Sequence, residues 1–216
     1  MIKYLITLIL LLIPSINNYA REWVIKIPSK KIRMVSSKGL KHPSWFISKY
    51  NIKNFINLSF FDKSFIPPYR DDSVLKPNNH KLWSYFTIDL PKIYSVPALS
   101  PNIFFYNSST VPTIWSKYMA SGTPLLLKDG VSQKIYNSSF TLSKRPRTVV
   151  GRIGLDTLLV FISTGMRVID LPDKMRSLGC TDALNLDGGG STILYMNDEY
   201  VYKQKKIRSY PNLLVW

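Results

Sequence analysis

The stretch Ala183-Leu184-Asn185-Leu186-Asp187-Gly188-Gly189-Gly190-Ser191-Thr192 runs from an apolar segment into a carboxylate, three glycines and two hydroxyls. Leu184 and Leu186 alternate with Ala183, Asn185 and Asp187, the period of a β-strand with Asn185 and Asp187 on one side. Glycines without a Cβ can take φ > 0, so the chain can turn sharply here and approach another group closely. Successive N–H groups in such a turn can converge on an anion. Asp187 at the lip of the turn, with Ser191 and Thr192 just beyond it, suits a phosphorylated or polyanionic ligand. The same residues also suit a glycine-rich hairpin turn capped by an Asp, and the stretch alone leaves both readings open.

Working outward, Leu171-Pro172-Asp173 reads as a helix start, with Pro in the first turn and an acid at the N-terminus, and Gly179 as its stop. Ile193 to Met196 reads as the return strand, Asn197-Asp198 as a hairpin turn, Tyr200 to Tyr202 as its partner and Leu213 to Trp216 as the last strand. Upstream, Leu158 to Ser163 reads as a buried strand that turns at Thr164-Gly165, and Pro124 to Lys128 as a strand before an Asp129-Gly130 turn. Arg145-Pro146-Arg147-Thr148 enters another strand. Its arginines suit bidentate phosphate binding, or an edge charge that blocks aggregation. Phe55 to Asp62 reads as a strand in which Asn57 and Ser59 share a face. A buried Asn must be hydrogen-bonded, so Asn57 is either a member of a core network or a ligand to substrate. Trp23 to Ile27 and Leu82 to Leu90 read as strands. Ile114 to Ala120 reads as a short helix, 63–80 as a loop, 91–112 as Pro-rich and irregular, and 28–50 as mixed and basic.

The chain has 216 residues, 45% of them hydrophobic, enough for one large domain with a real core. The 13 Tyr, 10 Phe and 14 Pro favour sheets and loops over a helical bundle. Residues 1–20 carry Lys3, an apolar run from Leu5 to Ile13 and a polar stretch to Ala20, the pattern of a signal peptide. The expected products are a signal peptide over 1–20 and a domain over 21–216, secreted or held in the periplasm or cell envelope, with no transmembrane segment in the mature chain. Cys180 is the single cysteine, so no internal disulfide forms, and it reads as a small buried residue. The formal net charge of +16 steers anionic partners. Nucleic acid is disfavoured because no nucleic-acid motif accompanies the charge.

Taken in order, Asn57 with Phe60-Phe61, Leu125 to Gly130, Arg145-Pro146-Arg147-Thr148, Leu178-Gly179-Cys180, Asn185 to Ser191, and Arg208 with Asn212 resemble the phosphodiester glycosidase family. The resemblance spans about 50–216 and is strongest over 50–62 and 121–216. It departs at Leu58-Ser59, where the family usually has glycines, and over 63–120. It implies an α+β fold, a mixed β-sheet with a few packed helices in one domain. It also implies cleavage of a sugar 1-phosphodiester with loss of the sugar, from a phosphate-containing glycan or glycoconjugate. Asp187 and Arg147 are then the catalytic candidates. Asn57, Thr148, Asn185, Gly188, Gly189, Gly190, Ser191, Thr192 and Arg208 are the candidates for holding substrate or phosphate.

The chemistry is consistent with one carboxylate. The anomeric C–O bond breaks through an oxocarbenium-like state. The leaving group is a phosphate monoester with a second pKa of about 6, which departs with little or no protonation. Asp62, Asp156, Asp170 and Asp182 are candidates for a second carboxylate. No cofactor is expected: Asp187 could take a divalent metal, but no His or Cys cluster stands with it. The alternative is a non-catalytic envelope or glycan-binding protein on the same scaffold.

Overall fold

The computed structural model describes residues 20–61, 84–89, 102–106 and 116–216. In chain order the elements are β1 (Glu22–Pro28), β2 (Arg33–Lys41), α1 (Pro43–Tyr50), β3 (Asn54–Asn57), β4 (Ser84–Asp89), β5 (Asn102–Tyr106), β6 (Ser116–Gly122), β7 (Leu125–Lys128) and β8 (Val131–Ser132). There follow α2 (Ser139–Leu142), β9 (Arg145–Ile153), β10 (Thr157–Met166), α3 (Leu171–Ser177), β11 (Asp182–Asn185), β12 (Leu194–Met196), β13 (Glu199–Tyr202) and β14 (Tyr210–Val215). The fold is α+β. Its six-stranded sheet has the order β1-β10-β9-β11-β7-β8, its five-stranded sheet β13-β12-β3-β14-β2, and a three-stranded sheet β5-β4-β6. The described pairings are antiparallel.

Period-two burial builds the layers. Leu158, Val160, Ile162, Leu184 and Leu186 point from the six-stranded sheet into a core shared with Ile56, Leu58, Leu194 and Leu214 of the five-stranded side. The alternate residues Leu159, Phe161, Val149 and Ala183 pack on the opposite face against Leu171 and Met175 of α3. Phe55, Leu213 and Val215 cover the outer face of the five-stranded sheet together with Phe46 of α1. The two large sheets thus lie face to face, with helices on both outer faces, so that each apolar face is buried. Gly179, at φ 87°, follows the end of α3. Asn197 and Asp198, at φ 53° and 68°, make the tight β12–β13 turn that the sequence announces.

Four expectations need correction. Ser116–Gly122 is a strand and not a helix. Tyr118 and Ala120 alternate into the core beside Phe105, and the segment pairs with β4. The region 91–112, expected to be irregular, holds β5, while the mixed and basic 28–50 stretch holds β2 and α1. The chain does not turn at Thr164-Gly165: β10 continues to Met166 across a register shift between Ser163 and Met166. The strand expected over Phe55 to Asp62 is β3, Asn54–Asn57. The 63–80 loop lies outside the described residues.

Candidate active site

The glycine turn sits where the chain crosses from one large sheet to the other. The Leu186 N–H still donates to Thr148 O of β9, at 2.9 Å. The next N–H, of Asp187, donates to Leu58 O just past β3, at 3.1 Å. After the turn the chain enters β12 in the second sheet. Two glycines are required here for different reasons. Gly188 passes so close to β9 that a Cβ would lie 2.8 Å from Pro146 O, while Gly189 has φ 56°. Gly188→Ala is therefore expected to push the turn off β9 and cost about 1–3 kcal/mol, with activity falling alongside, checked by urea unfolding and turnover of one preparation.

The turn folds around the Asp187 carboxylate. Gly188 N–H donates to Asp187 Oδ1 at 2.8 Å. Ser191 N–H and Thr192 N–H turn back to the carbonyls of Gly188 and Gly189, at 3.0 and 3.3 Å. Among the described residues no group accepts from the N–H of Gly189 or Gly190, so both remain available to an anion. Arg208 lies against Gly190, its guanidinium 3.4 Å from where a Cβ would be, and its Nη1 donates to Ser191 Oγ at 3.2 Å. Burial pushes the Asp187 carboxyl up to about 6, against the hydrogen bonds from Ser191 and Gly188 and the charge of Arg208, which lower it. A carboxyl poised near 6 beside a cation and two unengaged N–H groups is an arrangement for chemistry on an anion.

The other candidates divide. Asn57 is a core network member: Thr148 Oγ1 and Ile193 N–H donate to its Oδ1 at 2.9 and 3.2 Å, and its Nδ2 donates to Asp187 O at 2.6 Å. Asn57 and Thr148 are buried and hold the carbonyl side of Asp187 in place, so neither presents its polar atoms to a ligand. Asn185 donates to Thr123 O at 2.6 Å. Among the described residues its Oδ1 and the Thr192 hydroxyl, both as buried as Asn57, have no hydrogen-bond partner.

Arg147 departs furthest from the expectation. Its side chain is 1% exposed. Nε donates to Met166 O at 2.9 Å, and Nη2 donates to Phe140 O and Ser143 O at 2.9 and 2.8 Å. The guanidinium also stacks over the Phe140 ring, 5.0 Å from its centroid. With Nε and both Nη2 hydrogens spent on carbonyls, no parallel pair is left to grip a phosphate. Burial, then the charge of Arg145, lowers its pKa to about 10, so it remains a cation at neutral pH. Arg147 clamps α2 and the end of β10 onto β9, beside Gly188.

Of the candidate second carboxylates, Asp182 is buried and ion-paired with Arg152 and Lys128 at the far end of β11. Burial pushes its carboxyl up, but hydrogen bonds from Thr181 and Lys128 and the charge of Arg152 outweigh it and hold the group below the usual carboxylate range. Asp170 is held by Arg167 through two bonds of 2.7 Å. Asp156 accepts from Thr157 Oγ1 at the β9–β10 turn. Asp62 lies outside the described residues. Among the described residues no three His, Cys, Asp or Glu side chains converge as a metal would need.

One site residue carried no sequence signal. Tyr210, 2% exposed at the start of β14, donates its hydroxyl to Ser191 O at 3.0 Å and so fixes the far side of the turn. Burial first, then the negative charge of Asp187, pushes its phenol up. Asn212, two residues on, accepts from Ser59 N–H at 3.3 Å.

Comparison with known proteins places this geometry. Several solved structures share the fold. The catalytic domain of zebrafish N-acetylglucosamine-1-phosphodiester alpha-N-acetylglucosaminidase, auto-inhibited by its pro-peptide, superposes with a TM-score of 0.67 at 15% identity, covering 94% of this chain and 84% of that one. A hypothetical protein from Synechocystis gives 0.60 at 10% identity over 91% of this chain, which spans 59% of that protein's length. A Burkholderia pseudomallei K96243 protein described as exported gives 0.55 at 10% identity, covering 89% and 72%. No curated protein matches the sequence. No helix among the described residues is long and apolar enough to cross a membrane. The family model for phosphodiester glycosidase, NAGPA, matches residues 86–216, and the chain belongs to that family.

Proposed function

We propose that this chain is an exported hydrolase that cleaves a sugar 1-phosphodiester at the anomeric C–O bond and releases the sugar from a phosphate-containing glycan. The observation that carries this reading is the Asp187 carboxyl lying beside the Arg208 guanidinium and the unengaged N–H groups of Gly189 and Gly190. In this reading the two N–H groups and Arg208 take the charge of the phosphate, which they bind more strongly as it grows on departure. Asp187, ionised above about pH 6, attacks the anomeric carbon or takes the proton of the attacking water. Ser191 steers Arg208 and the carboxylate together. Asn57, Thr148, Tyr210 and Arg147 are positioning residues. The signal-like segment over 1–20 supports export.

The test is incubation with a panel of sugar 1-phosphodiesters, scoring free sugar. Arg208→Ala is expected to lower kcat/KM by about 10²-fold, the scale of losing one preorganised donor to developing charge. Its melting temperature should hardly change, because Arg208 is exposed and its described hydrogen bond is the one to Ser191. Full activity in Arg208→Ala would remove Arg208 from the phosphate site.

A further inference from the structure

Beside the turn, the connection between β13 and β14 carries Lys203, Lys205, Lys206 and Arg208, all exposed. Elsewhere six described cations pair with carboxylates, Lys53 with Asp198, Lys128 and Arg152 with Asp182, Arg167 with Asp170, Lys174 with Glu22 and Arg176 with Asp173, while others, such as Lys30 and Lys31, do not. Among the described residues no carboxylate pairs with any of these four. Packing like charges without counterions costs free energy, which a bound polyanion repays.

The connection is also anchored. Gln204 Nε2 donates to Tyr202 Oη at 2.7 Å, Ile207 packs on the outer core of the five-stranded sheet, and Arg208 reaches Ser191. Half-buried Gln204 and Ile207 thus flank the exposed Lys205 and Lys206, and Lys203 lies over the Tyr200 ring, 5.0 Å from its centroid. Lys206 is two residues from Arg208, at most roughly 7 Å along the backbone, and Lys205 at most roughly 11 Å. On the other side of Arg208, Lys41 stands opposite Tyr210 across the β2–β14 ladder.

We infer that Lys205 and Lys206 form a second anion subsite next to the scissile position, so that the substrate carries at least one further negative charge beyond the phosphodiester being cut. This rests on the reading of Arg208 and the glycine turn as the phosphate cradle. It narrows the substrate class to glycans with repeated phosphates or other closely spaced acidic groups.

The test is titration of the wild type and of Lys205→Ala/Lys206→Ala with inorganic phosphate and with inorganic tripolyphosphate, at several salt concentrations. The wild type should bind tripolyphosphate at least about ten-fold more tightly than phosphate. The double variant should lose about ten-fold on tripolyphosphate, two exposed charges each contributing a factor of a few. It should stay within about two-fold on phosphate and show a shallower salt dependence. Lys206→Glu should weaken tripolyphosphate further with the same melting temperature. Lys30→Ala/Lys31→Ala, which removes two exposed charges from the β1–β2 connection, should leave both probes unchanged. Equal loss from the Lys30/Lys31 variant, or no loss from the Lys205/Lys206 variant, would overturn the inference, and so would binding of neither probe. Binding as expected without cleavage of any sugar 1-phosphodiester would sink the proposed reaction while leaving the subsite standing.

Discussion

Asp187→Asn is expected to lower sugar release by about three to five orders of magnitude while leaving the melting temperature at neutral pH unchanged or raised. The two halves of this expectation have separate causes. The rate falls because an amide can neither attack nor accept a proton as the carboxylate does. Stability does not fall because the native fold disfavours the ionised carboxyl. Its pKa is about 6 when folded against an ordinary 3.8. Below about pH 4 the group is neutral in both states and costs nothing. As pH rises toward 6 the unfolded chain ionises first, so the folded state loses stability, and the loss is complete above 6. The full shift corresponds to at most about 3 kcal/mol, and partial solvent access reduces this to about 1–2 kcal/mol. Asn removes that cost. Melting curves between pH 4 and 8 should therefore diverge, the variant gaining on the wild type as pH rises. The same group should give kcat/KM of the wild type a rising limb with an apparent pKa near 6. A variant that melts much earlier yet still releases sugar would make Asp187 a turn residue.

The largest loss of stability is expected at Arg147. Arg147→Met keeps most of the apolar stem but strands the carbonyls of Met166, Phe140 and Ser143, which accept from it now. Each buried acceptor left unpaired costs about 1–3 kcal/mol, and with partial relaxation of α2 the total comes to roughly 3–5 kcal/mol. Arg147→Lys should recover part of this, since one ammonium cannot reach all three carbonyls in the planar geometry of the guanidinium. Urea unfolding measures the loss. Turnover at a temperature where Arg147→Lys is fully folded then separates two roles. Near-normal turnover is the expected result for a clamp. A drop of about 10²-fold in the folded variant, the scale of a lost charge-stabilising donor, would return Arg147 to the phosphate.

How much was legible follows from where each signal lives. The strand and the turn are local, written in the alternation from 183 and the glycines after it; the structure ends β11 at Asn185, with the Leu186 N–H still bonded to Thr148 O, and turns at the glycines. The hairpin at Asn197-Asp198 and the helix between Pro172 and Gly179 are local too. The role of Asn57 was not readable, because its partners lie 91 and more residues away, at Thr148, Asp187 and Ile193. A buried Asn that holds a turn and one that holds a sugar look alike in sequence. Arg147 misled for a related reason. An arginine fork suits carbonyl oxygens as well as phosphate, and only the tertiary fold decides which of them it meets. Strand β2 escaped because Met34, Val35, Ser36 and Ser37 are all buried in succession, so both of its faces are covered and no alternation shows among its basic neighbours. Tyr210 is one aromatic among many until the fold sets it under Ser191.

The central claim is that the bond to the anomeric carbon breaks, with Asp187 as the reacting carboxylate. Hydrolysis of a sugar 1-phosphodiester in ¹⁸O-labelled water, with mass analysis of both products, tests it directly. The account predicts label at the anomeric oxygen of the released sugar, none in the phosphate monoester, and neither product from Asp187→Asn. Label in the phosphate, which would mean P–O cleavage, or undiminished hydrolysis by Asp187→Asn would contradict it.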